Sequence, residues 1–267
     1  MVNEIGFPGL GFSFSINPVA FTVMGKPIYW YGIIIAAGFF LALLFVTKTC
    51  KKRGVQPDTI YDVAIYGLIF GILGARIYYI LFDFDSVRGS IWNFFKVWNG
   101  GIAIYGGIIG AAISTVIYCR RKKLPTLKVF DVCAPGLLIG QIIGRFGNFV
   151  NAEVYGGETA LPWRMSINQS AGVHPLFLYE SIWNLIGLII ILFVRDKKKA
   201  DGEIFFLYTL WYALGRLWME GMRQSEYILY LIPGRIGISQ VVSFLVIVSS
   251  AIFLVFLHRN SKKTGEM

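Results

Sequence analysis

Seven stretches of about twenty largely apolar residues, at roughly 29–47, 61–82, 101–119, 130–150, 176–194, 203–222 and 238–257, occupy most of this 267-residue chain. A hydrocarbon layer of about 30 Å takes about that many residues in helix, so the chain is expected to cross a membrane seven times. Composition agrees: 56% of the residues are hydrophobic and only 15% charged, whereas a soluble domain carries about 25% charge to coat its surface. Disordered, collagenous and disulfide-scaffold classes are excluded on the same ground. The first stretch lacks a basic leader and a small-residue cleavage site, so it is read as a retained span. Residues 1–29 before it are expected to join the external loops in a small cap. No internal repeat is visible, which removes support for an inverted-repeat transporter. The expected architecture is all-α, a single integral membrane domain over residues 1–267.

Loop cations give an orientation. Lys48, Lys51, Lys52 and Arg53 follow the first stretch, and Arg120, Arg121, Lys122, Lys123 and Lys128 follow the third. Arg195, Lys197, Lys198 and Lys199 follow the fifth, and Arg259, Lys262 and Lys263 the last. The intervening loops are poorer, with Arg88 and Lys96, then Arg164, then Arg223 and Arg235. Short cation-rich loops stay in the cytoplasm, which predicts an external N-terminus and a cytoplasmic C-terminus. The net charge of +10 is then a topology signal and a contact with anionic lipid, and no nucleic-acid partner is expected. Cys50, Cys119 and Cys133 have neither metal nor redox spacing. No zinc site or thiol nucleophile of the protein's own is expected, and sulfur chemistry would have to use a substrate's thiol.

Setting the loop cations aside leaves Arg76, Arg145 and Arg216 within or at the ends of spans, where a central Arg costs about 2.5–3.5 kcal/mol. Two readings compete: ion pairing with Glu180 or Glu220 or snorkelling from a span end, and an anion site within the bilayer. On the sixth span Tyr212, Arg216, Glu220 and Arg223 fall within an arc of about 80° at 100° per residue, so one face must line the protein interior or a hydrated cavity. Gln141, Arg145 and Asn148 share a side of the fourth span, beside a row formed by Gly136, Gly140 and Gly144 that lets helices approach closely. Gly67, Gly71 and Gly74 form a weaker row, read as packing.

The densest polar segment, residues 144–157, reads Gly-Arg-Phe-Gly-Asn-Phe-Val-Asn-Ala-Glu-Val-Tyr-Gly-Gly. Its residue types suit a phosphate with a hydroxylated head group. Arg145 offers a bidentate fork, Asn148, Asn151 and Glu153 can bind hydroxyls, and the glycines let backbone N–H groups near the anion. The alternative is a polar helix end with satisfied caps. A second glycine cluster, Asn99-Gly100-Gly101 to Gly106-Gly107, lacks the Lys-Ser or Lys-Thr of a nucleotide loop. It reads as a tight helix start close to substrate, with Tyr105 aimed inward. His174 is read as structural.

The pattern Gly144-Arg145-x-Gly147-Asn148-Phe149-x-Asn151-x-Glu153-x-x-Gly156 resembles the signature of the bacterial phosphatidylglycerol–prolipoprotein diacylglyceryl transferases. Trp30-Tyr31-Gly32, Gly74-Ala75-Arg76, Gly100 to Gly107, His174-Pro175 with Tyr179-Glu180, and Tyr212 through Arg223 look like that family's other blocks in order, so the resemblance covers the whole chain. It implies transfer of the sn-1,2-diacylglyceryl group of phosphatidylglycerol to the lipobox cysteine in the signal peptide of a prolipoprotein, releasing glycerol 1-phosphate, with no metal or soluble cofactor. The setting implied is the bacterial plasma membrane, with the site facing the outer leaflet. Arg145 would hold the lipid phosphate, and Arg216 would stabilise the leaving phosphate or lower the thiol pKa. Tyr31, Asn148, Glu153 and Gly156 would shape the head-group pocket, with Asn151, Tyr212 and Arg223 as further substrate-binding candidates, and Glu220 would hold Arg216.

Many members of that family have histidine where this chain has Tyr105, and tyrosine, with a pKa near 10, is a poor base at neutral pH. Tyr105 then positions the phosphate through its hydroxyl, while Glu153 or water takes the thiol proton or the arginine pair depresses the thiol pKa. Competing readings are a transporter or channel for an anionic solute and, more weakly, an intramembrane protease. The mechanism in this form fails if both guanidinium groups are capped by carboxylates.

Overall fold

The computed structural model describes residues 2–82, 92–95, 100–232 and 234–265. Arg88, Lys96 and Asn99, assigned above to loops and to the second glycine cluster, lie outside the described residues. The elements run β1 (Asn3–Phe7), β2 (Phe12–Ile16), β3 (Val19–Val23), β4 (Lys26–Tyr29), α1 (Trp30–Cys50), α2 (Pro57–Phe82), α3 (Trp92–Phe95), α4 (Ile104–Arg121), α5 (Thr126–Val150), β5 (Ser166–Ile167), α6 (Leu176–Val194), α7 (Glu203–Glu220), β6 (Tyr230–Ile232), β7 (Ile236–Gly237) and α8 (Ile238–Gly265).

Each apolar stretch forms a helix. Among the described residues, five helical segments, Trp30–Arg53, Pro57–Phe82, Thr126–Val150, Leu176–Val194 and Ile238–Arg259, are long and apolar enough to cross a membrane. The other two, α4 and α7, have 18 residues each and reach about 27 Å. Arg120 and Arg121 end α4, while Glu203, Arg216 and Glu220 interrupt the apolar character of α7. The all-α expectation is corrected by short strands. Phe12-Ser13-Phe14-Ser15-Ile16 alternates with the period of a strand, and β2 pairs antiparallel with β1, which pairs in turn with β5.

The chain divides into two compact units, one of Met1–Leu44 with Cys133–Met267 and one of Phe45–Val132. In the second, α2 and α4 pack backbone to backbone. A Cβ on Gly74 would strike the Gly106 carbonyl, one on Gly106 the Gly74 carbonyl, and one on Gly110 the Phe70 carbonyl, so these positions admit only hydrogen. Tyr118 donates to Asp62 (2.6 Å) between the same helices. Arg76 is buried and donates to the carbonyls of Phe94 (2.9 Å), Gly100 (3.2 Å) and Gly101 (2.7 Å), where Gly100 and Gly101 take left-handed φ of 87° and 72°. These contacts make Arg76 a clamp on the turn leading into α4. Tyr105 sits half-buried in the first turn of α4.

In the first unit, Ile5, Phe7, Met165, Ile167, Val173 and Phe177 form a core that ties the three-stranded sheet to the start of α6. Phe149, at the end of α5, packs on Phe177 at 4.3 Å. Ser181 of α6 donates to the Ile142 carbonyl of α5 (3.0 Å), and Gln141 donates to Tyr208 of α7 (2.8 Å). Along the glycine row of α5, a Cβ on Gly38 of α1 would lie 3.6 Å from the Gly140 carbonyl oxygen, Ile35 of α1 approaches Gly144, and the Tyr31 ring lies on Gly147. Between α6 and α7, Trp183 and Trp211 stack at 4.4 Å, and each indole N–H donates to the other's carbonyl at 2.9 Å. Gly215 receives the Trp183 ring and Gly187 the Trp211 ring. This reciprocal lock fixes the register of the two helices that carry the charged residues below.

Candidate active site

Four helix ends of the first unit supply one ionic network. Glu180, in the second turn of α6, is buried, and its carboxylate pairs with three guanidinium groups: Arg145 from α5, Arg216 from α7 at 3.9 Å and Arg223 at 3.2 Å. Glu220, only 2% exposed, pairs with Arg216 at 2.8 Å and Arg223 at 3.1 Å. Arg216 also donates to Ser239 at the start of α8 (3.3 Å). The spacing of Arg216 and Glu220 on one face of α7 works as the sequence indicates. Arg223 lies beyond the end of α7 at Glu220, not on the helix, and reaches the network through an antiparallel bridge with Gly156.

Both arginines assigned to the phosphate carry carboxylate partners, Arg216 the expected Glu220 and Arg145 Glu180, so the mechanism in the form drawn from the sequence fails and what remains for an anion is the charge these carboxylates leave over. Three guanidinium groups face two carboxylates, so the ion-paired network keeps one uncompensated positive charge. Burial pulls the Arg223 pKa below its ordinary value, and Arg216 and Arg145 act in the same direction against Glu180 and Glu220. That crowding of cations favours an additional anion. Arg145 and Arg216 are partly buried but the more accessible members, with side chains 19% and 17% accessible against 9% for Arg223. A guanidinium has five donors, and among the described residues Arg145 has only Glu180 as a partner.

The segment after Arg145 does less than expected as an anion cradle. Asn148 donates to the Glu153 carboxylate at 2.9 Å and Asn151 approaches it at 3.5 Å, so both amides hold that carboxylate. Ala152 and Val154 take left-handed φ of 53° and 57°, a strained conformation for a β-branched residue such as Val154. The Gly156 N–H donates to the His174 carbonyl (3.0 Å) and the Gly157 N–H to the Met222 carbonyl (2.8 Å). Neither N–H is left for a phosphate. Gly156 is a close-approach residue, because a Cβ there would lie 2.6 Å from His174 Cβ and 2.8 Å from the Met222 carbonyl oxygen.

Tyr31 joins this side of the unit, with Glu153 and Arg145 as the charged neighbours of its phenol. Tyr212 lines a small cavity with Arg216 and Glu180. The structure thus gathers Tyr31, Arg145, Asn148, Asn151, Glu153, Gly156, Tyr212, Arg216, Glu220 and Arg223 in one unit, while Tyr105 and Arg76 belong to the other. The Nδ1 of His174 lies 3.3 Å from the Tyr179 hydroxyl, which accepts from Trp163 at 2.7 Å, and burial lowers its pKa. In the sequence Glu180 reads as a pairing partner and as part of a family-like block, not as the hub of a network. The available signal was a lone carboxylate opening an otherwise apolar span.

Comparison with known proteins shows the family. A family model described as Prolipoprotein diacylglyceryl transferase matches residues 18–256. Proteins named phosphatidylglycerol–prolipoprotein diacylglyceryl transferase are similar throughout. One from Listeria innocua is 40% identical over 253 residues, covering 90% of each chain. One from Lysinibacillus sphaericus is 43% identical over 246 residues, covering 87% of this chain and 89% of the relative. One from Pediococcus pentosaceus is 36% identical over 262 residues, covering 93% of each. With that extent of similarity, this chain belongs to the prolipoprotein diacylglyceryl transferase family.

Proposed function

We propose that the chain transfers the diacylglyceryl group of phosphatidylglycerol to the lipobox cysteine of prolipoproteins, the first step of lipoprotein maturation. The observation that carries this reading is the network of three arginines and two glutamates with one positive charge in excess. A phosphodiester carries one negative charge, so the network complements a single lipid phosphate. In the reaction the cysteine thiolate attacks the glycerol carbon bonded to the phosphate oxygen. The carbon–oxygen bond breaks, its electron pair leaves with glycerol 1-phosphate, and a carbon–sulfur thioether forms. The thiolate's charge reappears on the phosphate, where fixed cations lower the barrier. Loss of one such donor typically slows a reaction about 10²–10³-fold.

In this mechanism Arg145 and Arg216, the accessible members, receive the phosphate, and Glu180 and Glu220 hold them from behind. Tyr31, Asn148, Asn151, Glu153, Tyr212 and Arg223 border the head group, and Gly156 acts by letting the Arg223 segment approach. Tyr105 is assigned phosphate positioning by family resemblance alone, and Tyr105→Phe tests that role.

The two units belong to one membrane domain with seven spans, α4 and α7 included, an external N-terminus and a cytoplasmic C-terminus. The cationic residues after α1, α4 and α6 and at the end of α8 support this orientation. The charged network then opens to the outer leaflet beneath a small cap built on β1, β2 and β5. The deciding experiment incubates purified protein in detergent with phosphatidylglycerol and a lipobox peptide. Diacylglyceryl mass on the cysteine with release of glycerol phosphate supports the reading, while anion uptake into vesicles without peptide modification replaces it with transport.

A further inference from the structure

Asn184 lies one helical turn along α6 from Glu180, so the two side chains share a face. The residue is 2% exposed, and among the described residues its side-chain amide has no hydrogen-bond partner, while its polar atoms keep a small accessible area. An unpaired amide inside a membrane span is costly and calls for a polar partner. Asn184 lines a cavity of about 10 Å³ together with the polar residues Glu180, Tyr212 and Arg216 and with Trp183 and Met219. One water molecule needs roughly that volume and two to four polar partners, both of which the cavity supplies.

We propose that this cavity binds a single hydroxyl group that links the Asn184 amide to Glu180 and Arg216, making Asn184 a positioning residue for the ionic network. The hydroxyl can come from water or from the glycerol head group of a lipid, which share the same donor and acceptor chemistry. Bound there, it satisfies the amide and occupies a lone pair of Glu180, keeping that carboxylate aimed at its arginines. The binding site stands on geometry alone; its effect on turnover rests on the transferase reading.

Two measurements test the proposal. An experimental structure of the lipid-free protein, at a resolution that shows ordered water, is expected to hold an isolated peak within hydrogen-bond reach of the Asn184 amide. A peak found only with phosphatidylglycerol, and continuous with its head group, assigns the same site to a lipid hydroxyl. An empty pocket in both structures, or an Asn184 turned onto a protein partner, overturns the proposal. The second measurement compares Asn184→Leu with Asn184→Ala. Leucine has the branching of asparagine but bulkier methyl groups, which fill the cavity and bond no hydroxyl, so turnover is expected to fall about tenfold, as for one lost hydrogen bond to a charged group. Alanine leaves room for a second water, and turnover is expected to stay within about threefold. A role in packing alone gives the reverse order, and that order overturns the proposal. If the wild-type protein modifies no lipobox peptide, the transferase reading fails while the structural test of the pocket stands.

Discussion

Replacing Glu180 by glutamine removes the one carboxylate shared by Arg145, Arg216 and Arg223 while leaving the volume almost unchanged. Glu220 would then face three guanidinium groups alone, and the excess of the network rises from one positive charge to two. Breaking a buried ion pair by deleting one partner costs about 3–5 kcal/mol. Arg145 and Arg216 are 19% and 17% accessible, so water offsets part of this and a loss of about 2–3 kcal/mol is expected. The lost anion has a natural substitute in lipid phosphate. Thermal unfolding of Glu180→Gln and wild type, in micelles of phosphatidylglycerol or of zwitterionic phosphatidylcholine, separates the terms. The variant should lose stability in phosphatidylcholine and regain most of it in phosphatidylglycerol, because a ligand bound only by the folded state stabilises it by mass action. Wild type should respond less. Equal losses in the two lipids would refute the idea that the excess charge is available to a phosphate.

Arg145→Ala and Arg216→Ala are each expected to abolish transfer while membrane insertion persists, and the lysine variants to recover little, since a point charge lacks the planar fork; mass spectrometry of the lipobox peptide measures both. Gly156→Ala puts a methyl against His174 and the Met222 carbonyl, so the bridge to Arg223 must shift. The expected cost is about 1–3 kcal/mol in thermal unfolding, with a larger proportional loss of transfer than for a surface Gly→Ala control. His174 is held neutral by burial, its pKa lying below 6.5. The unfolded chain binds that proton more readily, so the contribution to stability is complete above pH 6.5 and is lost as the pH falls through the lower folded value. Unfolding temperatures of His174→Gln should therefore depend less on pH in that acidic range than those of wild type.

The helices were legible because apolar length is a local property, and the α7 face because Arg216 and Glu220 are neighbours through the helix itself. Glu180 was not legible as the hub. Its three partners come from α5, α7 and the segment after α7, and only packing brings them together. The β-strands escaped notice because β1, β2 and β5 are two to five residues long, although Phe12, Phe14 and Ile16 already alternate with serine. Gly156 and Gly157 were legible as glycines with a purpose but assigned the wrong one. A glycine freed for an anion and a glycine pressed between two backbones look the same in sequence, and the carbonyls of His174 and Met222 decide between them. Arg76 shows the same ambiguity, its charge being spent on three carbonyls of its own unit.

The central claim is that one lipid phosphate docks on the more accessible arginines of a network that its own carboxylates do not fully neutralise. A structure of the protein with bound phosphatidylglycerol measures this directly. Phosphate oxygens should lie within about 3 Å of guanidinium nitrogens of Arg145 and Arg216, the distance of a charge-assisted hydrogen bond, with Glu180 and Glu220 still in contact behind them. A phosphate seated away from both arginines would contradict the account.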